Sequence, residues 1–136
     1  MENKKFREFT TSSGKIVLCG KSAKNNEELI EQVKPSEIVL HTANPGSPFI
    51  NIRGKAEKKD IEESAVICAK YSHDWRDNRK DILVHIFKGS DIYKNKKMKL
   101  GTFGVREFQI KKVKKEEISN FEEKLKNETD KKIAIR

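Results

Sequence analysis

Three histidines and two cysteines are the nitrogen and sulfur side chains of this 136-residue sequence that could hold a metal ion or take part in catalysis. They are His41, His73, His85, Cys19 and Cys68. Because none of them follows a CxxC, HxxxH or HExxH spacing, the sequence indicates no metal site and no cofactor. It also lacks a GxSxG motif, and its scattered glycines match no phosphate-binding loop. We therefore expect a protein that is not an enzyme.

The histidines differ in how well their surroundings suit a binding site. His41 ends an apolar run just before the Pro45-Gly46 turn, and strand ends are places where binding residues collect. With Ser47 and Tyr71 it could form the cleft of an enzyme or of an RNA-modification accessory domain, which we keep as an alternative function. His85 alternates with apolar neighbours, a pattern that favours a histidine packed in the core.

Positive charge is concentrated in one part of the chain. The net charge is +9, from 30 basic and 21 acidic side chains. Residues 76–115 carry 13 basic and 4 acidic side chains, whereas residues 1–75 have a net charge of +1 and residues 116–136 of −1. Such a concentrated excess predicts a surface for an anionic partner, with a solvated lysine-rich surface as the alternative.

Nucleic acid is the anionic partner that these residue types favour. Lysine and arginine neutralise phosphates, while tyrosine and tryptophan stack on unpaired bases. Trp75 could instead anchor a helix to the sheet. Because the sequence has no RNP-type motif, zinc finger or basic zipper, we expect recognition of backbone and shape, and we keep non-specific DNA binding as an alternative. The predicted nucleic-acid-binding residues are His41, Ser47, Tyr71, Trp75, Arg76, Arg79, Lys80, Lys94, Lys96, Lys97, Lys99, Arg106, Lys111 and Lys112.

These residues must be positioned by a small α+β core. Alternating and helical apolar patterns, separated by turn residues, predict the order ββαββαββα. We expect a mixed, mostly antiparallel sheet of about six strands with helices packed on it. The predicted strands are residues 6–11, 15–21, 37–43, 48–53, 81–87 and 102–114, and the predicted helices are residues 25–34, 58–75 and about 118–125.

Two strands have unusual patterns. Residues 81–87 are apolar at almost every position, which predicts a central strand covered on both faces. The apolar alternation slips within residues 102–114, which predicts a bulge near Arg106-Glu107. We expect residues 1–127 to form one domain and residues 128–136 to form a flexible C-terminal tail.

The sequence also allows a prediction of where in the cell the protein is located. No apolar run approaches the roughly 18 residues of a membrane helix, and the N-terminus has no apolar segment typical of a secretory signal. We therefore expect a cytoplasmic protein that does not interact with membranes. The sequence does not indicate an oligomeric state.

Four segments of the sequence resemble the NFACT-R domain, the predicted RNA-binding domain of the NFACT family of ribosome-associated quality-control factors and fibronectin-binding-protein-like relatives. The resemblance runs from about Phe6 to Val113. The most specific segment is His41-Thr42-Ala43-Asn44-Pro45-Gly46-Ser47-Pro48, which is similar to the family's H-A-D-x-P-G-S-P turn. The other segments are Phe9 to Gly14 with Leu18 to Lys21, Asn25-Asn26-Glu27, and Ala69 to Trp75 with Gly101-Thr102-Phe103.

The resemblance implies a non-catalytic RNA-binding module that contacts tRNA or ribosomal RNA, acts in translation or ribosome-associated quality control, and could have the ribosome itself as a partner. Ser22, Thr42 and Asn44 depart from the family pattern, so a role that needed carboxylates there is not expected. The other domains of the full-length factors do not fit into 136 residues. We therefore expect a stand-alone version of the domain.

Overall fold

The computed structural model describes residues 5–134, with side chains described as far as residue 128. A short 3₁₀ turn spans Gly89–Asp91. In chain order the helices and strands are β1 (Arg7–Thr10), β2 (Ile16–Cys19), α1 (Ala23–Glu31), β3 (Ile38–Thr42), β4 (Ile50–Ile52), α2 (Lys58–Lys70), α3 (His73–Asn78), β5 (Ile82–Lys88), β6 (Ile92–Tyr93), β7 (Gly104–Val105), β8 (Gln109–Val113) and α4 (Lys115–Ala134).

Six of the strands form one sheet in the order β1-β2-β4-β3-β5-β8, and every pairing in it is antiparallel. Strands β6 and β7 pair as a separate two-stranded ribbon. The α+β class and the mostly antiparallel sheet of six strands are thereby confirmed. None of the described helices is both long and apolar enough to cross a membrane.

Apolar side chains cover both faces of the sheet, because successive side chains of a strand point to opposite sides. On one face, which we call the helix face, α2 and α4 pack over a core that includes Val17, Leu40, Ile50 and Ile118. On the other face, α1 and the β6–β7 ribbon cover a second cluster of buried residues, Leu18, Leu29, Val39, Phe49 and Phe87. The molecule therefore has three layers, with the sheet in the middle.

The motif Thr11-Ser12-Ser13-Gly14 fastens the first hairpin to α2. Thr11 Oγ1 and Ser13 Oγ donate to Asp60 Oδ1 at 2.7 and 2.5 Å, and the Glu57 amide donates to Asp60 Oδ2 at 2.8 Å. These hydrogen bonds, led by that from Ser13, lower the pKa of the fully buried Asp60 carboxyl. This part of the family resemblance therefore has a structural role in holding β1 and β2.

The predicted helix over residues 58–75 is in fact two helices. α2 ends at Lys70, and Ser72 then caps α3 by accepting a hydrogen bond from the Trp75 amide at 3.1 Å. The Ser72 hydroxyl donates at the same time to the Ala69 carbonyl at 2.7 Å. The residues of 58–75 do share an inward face, but a serine within that periodic pattern is an N-cap rather than a small core residue.

The two strands with unusual patterns also differ from what those patterns predicted. β5 is the fifth of six strands, and Leu83 on its second face is 45% exposed, so the strand is not covered on both faces throughout. Residues 102–114 do not form one bulged strand, because β7 belongs to the ribbon and β8 to the main sheet. The apolar alternation slips where the chain passes from one sheet to the other.

The C-terminal helix is longer than predicted. α4 runs from Lys115 to Ala134, whereas the sequence indicated only about residues 118–125. Ile118 is buried and Phe121 packs beside it against the helix-face core. Of the proposed flexible tail, residues 135–136 lie outside the described part of the chain, and the flexibility of residues 128–134 stays a prediction.

Candidate nucleic-acid interface

A cleft of about 840 Å³ opens where several loops meet beside the second face of the sheet. We call it the central cleft. Its walls are the ends of β3 and β4 and the turn between them, the residues before and at the start of α1, and the segment that leads into β7. Residues that line it include Arg7, Lys21, His41, Ser47, Phe49, Tyr71, His85, Gly101, Phe103 and Phe108.

Two glycines allow the loops around the central cleft to pack closely. Gly46 has a φ of +88°, and a Cβ there would lie 2.6 Å from Nδ1 of His73 at the start of α3. Gly101 has a φ of +80°, and a Cβ there would lie 2.9 Å from Ala23 at the start of α1. The Gly46 carbonyl also accepts a hydrogen bond from the His73 amide at 2.7 Å. These approaches give the glycines of the H-T-A-N-P-G-S-P and G-T-F segments a physical role.

The electrostatic character of the central cleft suits an anion. Among the described residues that line it there is no aspartate or glutamate, although the chain has 21 acidic side chains. Arg7 and Lys21 contribute positive charge, and three histidines share the lining. A phosphate approaching this surface meets no fixed negative charge from its walls.

His41 and His85 lie directly opposite each other on β3 and β5. Nδ1 of His41 lies 2.8 Å from the Thr42 carbonyl oxygen, so this nitrogen carries the proton, and its ring centroid is 4.5 Å from that of Phe49. The His85 ring stacks on Phe108 with centroids 4.0 Å apart. The sequence-based interpretation of His85 as a packed core residue is wrong, because the ring is half-buried and lines the central cleft.

Burial lowers the pKa of both histidines, and a positive charge on His85 would lower the pKa of His41 further. In the unfolded chain a histidine titrates near 6.5, so below that pH the unfolded state binds more protons than the folded state. We therefore expect the free energy of unfolding to fall as the pH drops from 7.5 to 5.5.

Urea unfolding of the wild type and of His41→Gln across this pH range tests that expectation. The variant should lose less stability than the wild type between pH 7.5 and 5.5, since one depressed pKa has been removed. Equal losses in the two proteins would show that His41 does not contribute to the acid sensitivity.

Ser47 is held by the backbone around it. Its hydroxyl donates to the Pro48 carbonyl at 3.1 Å and accepts from the Thr42 amide at 3.1 Å. This geometry directs the hydroxyl away from a role as a nucleophile activated by His41, which would need a hydrogen bond between the two side chains. Within the described residues, no group of three or more His, Cys, Asp or Glu side chains is placed to hold a metal ion.

Four of the predicted basic site residues are engaged with acidic side chains. Arg76 pairs with Asp77 at 2.9 Å, Arg79 with Glu122 at 3.0 Å, and Lys80 with Asp74 at 3.7 Å. Lys94 donates to Glu27 at 2.6 Å and to the carbonyls of Lys99 and Thr102, so it fixes the loop after β6 onto α1. The charge of these four residues is partly neutralised within the protein.

Three other lysines of that loop have no acidic partner in the described structure. Lys96, Lys97 and Lys99, which we call the lysine loop, are exposed, and their ammonium groups form no ion pair with any residue that the structure describes. The loop leads directly into Gly101 and Phe103, which line the central cleft. The lysine loop is therefore a source of positive charge within a few residues of the cleft lining along the chain.

The other three basic residues among the predicted site residues do not share one face. Lys111 pairs in register with Val84 on the helix face, whereas Lys112 pairs with Leu83 on the opposite face. The guanidinium of Arg106 lies over the ring of Tyr93, 4.8 Å from its centroid. The concentration of charge in the sequence is thus distributed over several surfaces of the fold.

The two predicted aromatic residues occupy different environments. Tyr71 lines the central cleft, with the Arg7 guanidinium 4.2 Å and the Lys70 ammonium 4.6 Å from its ring centroid. Trp75 is only 2% exposed and lies in the helix-face core. The expectation that Trp75 stacks on a base is thereby corrected, because a buried ring offers no face to RNA, and its position is that of a helix anchor.

Sequence reasoning missed much of the aromatic lining of the central cleft. Phe49 and Phe103 meet edge to face with centroids 5.4 Å apart, and Phe108 stacks on His85. Phe108 is 45% exposed, which is unusual for phenylalanine. The slip in apolar alternation near Arg106-Glu107 was the available signal, since it marks the point at which Phe108 turns away from the core.

Comparison with solved structures finds the same fold in another protein. The C-terminal part of the fibronectin/fibrinogen-binding protein from Streptococcus suis matches 88% of this chain with a TM-score of 0.75 and 19% sequence identity. The match covers 50% of that structure's chain, so the present chain spans about half of its length. No curated protein sequence matches the chain in a direct sequence search.

A family comparison is more informative about function. The family profile described as "NFACT protein RNA binding domain" matches residues 5–107 of the 136. The matched region contains β1 through β7 and all the residues of the central cleft named above except Phe108. The description names RNA binding as the function of this family. Since its profile matches well over half of the sequence, the chain belongs to the NFACT RNA-binding domain family.

Proposed function

We propose that this protein binds structured RNA, tRNA or ribosomal RNA, through the central cleft and the lysine loop. The observation that carries the proposal is the pairing of a cleft without carboxylates with three neighbouring lysines that have no ion-pair partner in the described structure. Unpaired lysines repel one another, and bound phosphates would relieve that repulsion. Membership of an RNA-binding family supports RNA over other polyanions.

Recognition in this proposal relies mainly on the sugar-phosphate backbone and on RNA shape. Exposed ammonium groups such as those of the lysine loop contact phosphates without distinguishing one base from another. A role in translation or in ribosome-associated quality control would follow from tRNA or ribosomal RNA as the ligand. The protein would act in the cytoplasm as a non-catalytic module.

The salt dependence of binding to purified tRNA tests this proposal. If about six phosphates are neutralised, the affinity should fall roughly 10³-fold between 50 and 200 mM monovalent salt. Titrations monitored by fluorescence anisotropy, with duplex DNA of equal charge as competitor, separate RNA preference from general polyanion binding. Absence of binding at 50 mM salt, or equal competition by DNA, would contradict the proposal.

A further inference from the structure

We propose that the central cleft holds one unpaired nucleobase of the bound RNA, stacked on Phe108. This inference rests on the proposed function, and it adds a mode of recognition that backbone contacts do not provide. RNA-binding proteins commonly stack splayed-out bases of loops and ends on aromatic side chains. The described cleft has the ring, the space and the charge for such a base.

Phe108 provides the aromatic ring on which the base would stack. Its side chain is 45% exposed, and the ring is held nearly parallel to His85, with centroids 4.0 Å and planes 20° apart. A ring already fixed by a stacked neighbour loses little conformational freedom when a base packs on it. Because nearly half of the Phe108 side chain is open to solvent, a planar ligand group can reach it.

The rest of the central cleft suits a planar, uncharged ligand group. Its volume of about 840 Å³ lies within the range of small-ligand sites, and Phe49 and Phe103 form an apolar wall. His85 covers one face of the Phe108 ring, so a base would stack on the opposite face.

Positive charge in and beside the central cleft would attract the phosphates on either side of that base. Lys21 lies in the lining, and the lysine loop joins it through Gly101. The absence of aspartate and glutamate from the described lining removes repulsion of the RNA backbone. An apolar ligand would not require this charge pattern, whereas a nucleotide with its flanking phosphates is favoured by it.

Two RNAs with the same number of phosphates distinguish the base from the backbone. One is a hairpin with a single-stranded loop that carries 2-aminopurine, and the other is a blunt duplex without unpaired bases. Phe108→Ala should weaken hairpin binding about 5- to 100-fold, the range expected for the loss of one base-aromatic stack, and leave duplex binding unchanged. The fluorescence of 2-aminopurine should change on binding to the wild type and not to this variant.

Matched variants control for surface area and folding. Ile16→Ala removes an equally exposed apolar side chain, 45%, from β2 outside the central cleft, and should not affect either RNA. Phe108→Tyr keeps an aromatic ring and should retain hairpin binding. Thermal unfolding of each variant confirms that the fold persists.

The outcomes separate this inference from the proposed function. If Phe108→Ala binds both RNAs as the wild type does, or loses affinity for both equally, the base-stacking inference is overturned while RNA binding stands. Unchanged 2-aminopurine fluorescence in the wild-type complex overturns it as well. If the wild type binds neither RNA at low salt, the proposed function itself fails.

Discussion

Neutralising the lysine loop should reduce RNA affinity on the order of tenfold for each lysine at 50 mM salt. This magnitude follows from counterion release, which contributes about 0.9 log unit of affinity per decade of salt for each phosphate contact. The triple variant Lys96→Gln, Lys97→Gln, Lys99→Gln should therefore bind about 10³-fold more weakly. Its plot of log affinity against log salt should also be shallower by about three.

Folding should be unaffected, because these side chains are exposed and form no ion pair within the described structure. The matched control is Lys55→Gln, Lys58→Gln, Lys59→Gln, which removes the same charge from exposed positions at and before the start of α2, outside the central cleft. Equal losses of affinity in the two triple variants would show that net charge, rather than the lysine loop, determines binding. No loss in either would remove the loop from the interface.

The ion pairs explain why the lysine loop is favoured over other basic residues of the same stretch. Lys94 is bound to Glu27 and to two carbonyls, so its removal would loosen the loop as well as change the charge. Arg79 is shared between Glu122 and the ring of Trp75. Variants at these positions would mix structural and electrostatic effects, whereas those in the lysine loop isolate the charge.

The main sheet could be predicted from the sequence because each of its strands has its own apolar pattern and turn residues. The ribbon of β6 and β7 could not, since each strand has only two residues and their pairing spans the lysine-rich loop. The exposure of Leu83 could not be predicted either, because the apolar pattern of a strand is the same whether or not another element covers its second face.

For the candidate site, the sequence indicated which residues could take part better than it indicated which partners surround them. His41 was selected from its place before a Pro-Gly turn, and the structure does place it in the lining of the central cleft. The neutralisation of Arg79 depends on Glu122, which is 43 positions away and comes from a different helix. Such a pairing is a product of tertiary packing and leaves no local signal in the sequence.

Trp75→Ala should destabilise the protein by roughly 3–5 kcal/mol, the usual cost of removing a large aromatic side chain from a core. The Trp75 ring is 2% exposed and packs in the helix-face core together with Val113 and Ile118. Its indole N–H also donates to Glu122 at 3.0 Å, which ties α3 to α4. Urea unfolding monitored by circular dichroism measures the change.

Trp75→Phe separates anchoring from RNA contact. The variant keeps most of the buried ring and loses the indole hydrogen bond, so the expected cost is only about 1–2 kcal/mol. Because the folded variant presents the same surface, its tRNA affinity should equal that of the wild type. A stable variant with much weaker tRNA binding would instead mean that the buried indole becomes exposed to RNA, and that α3 moves away from the core when RNA binds.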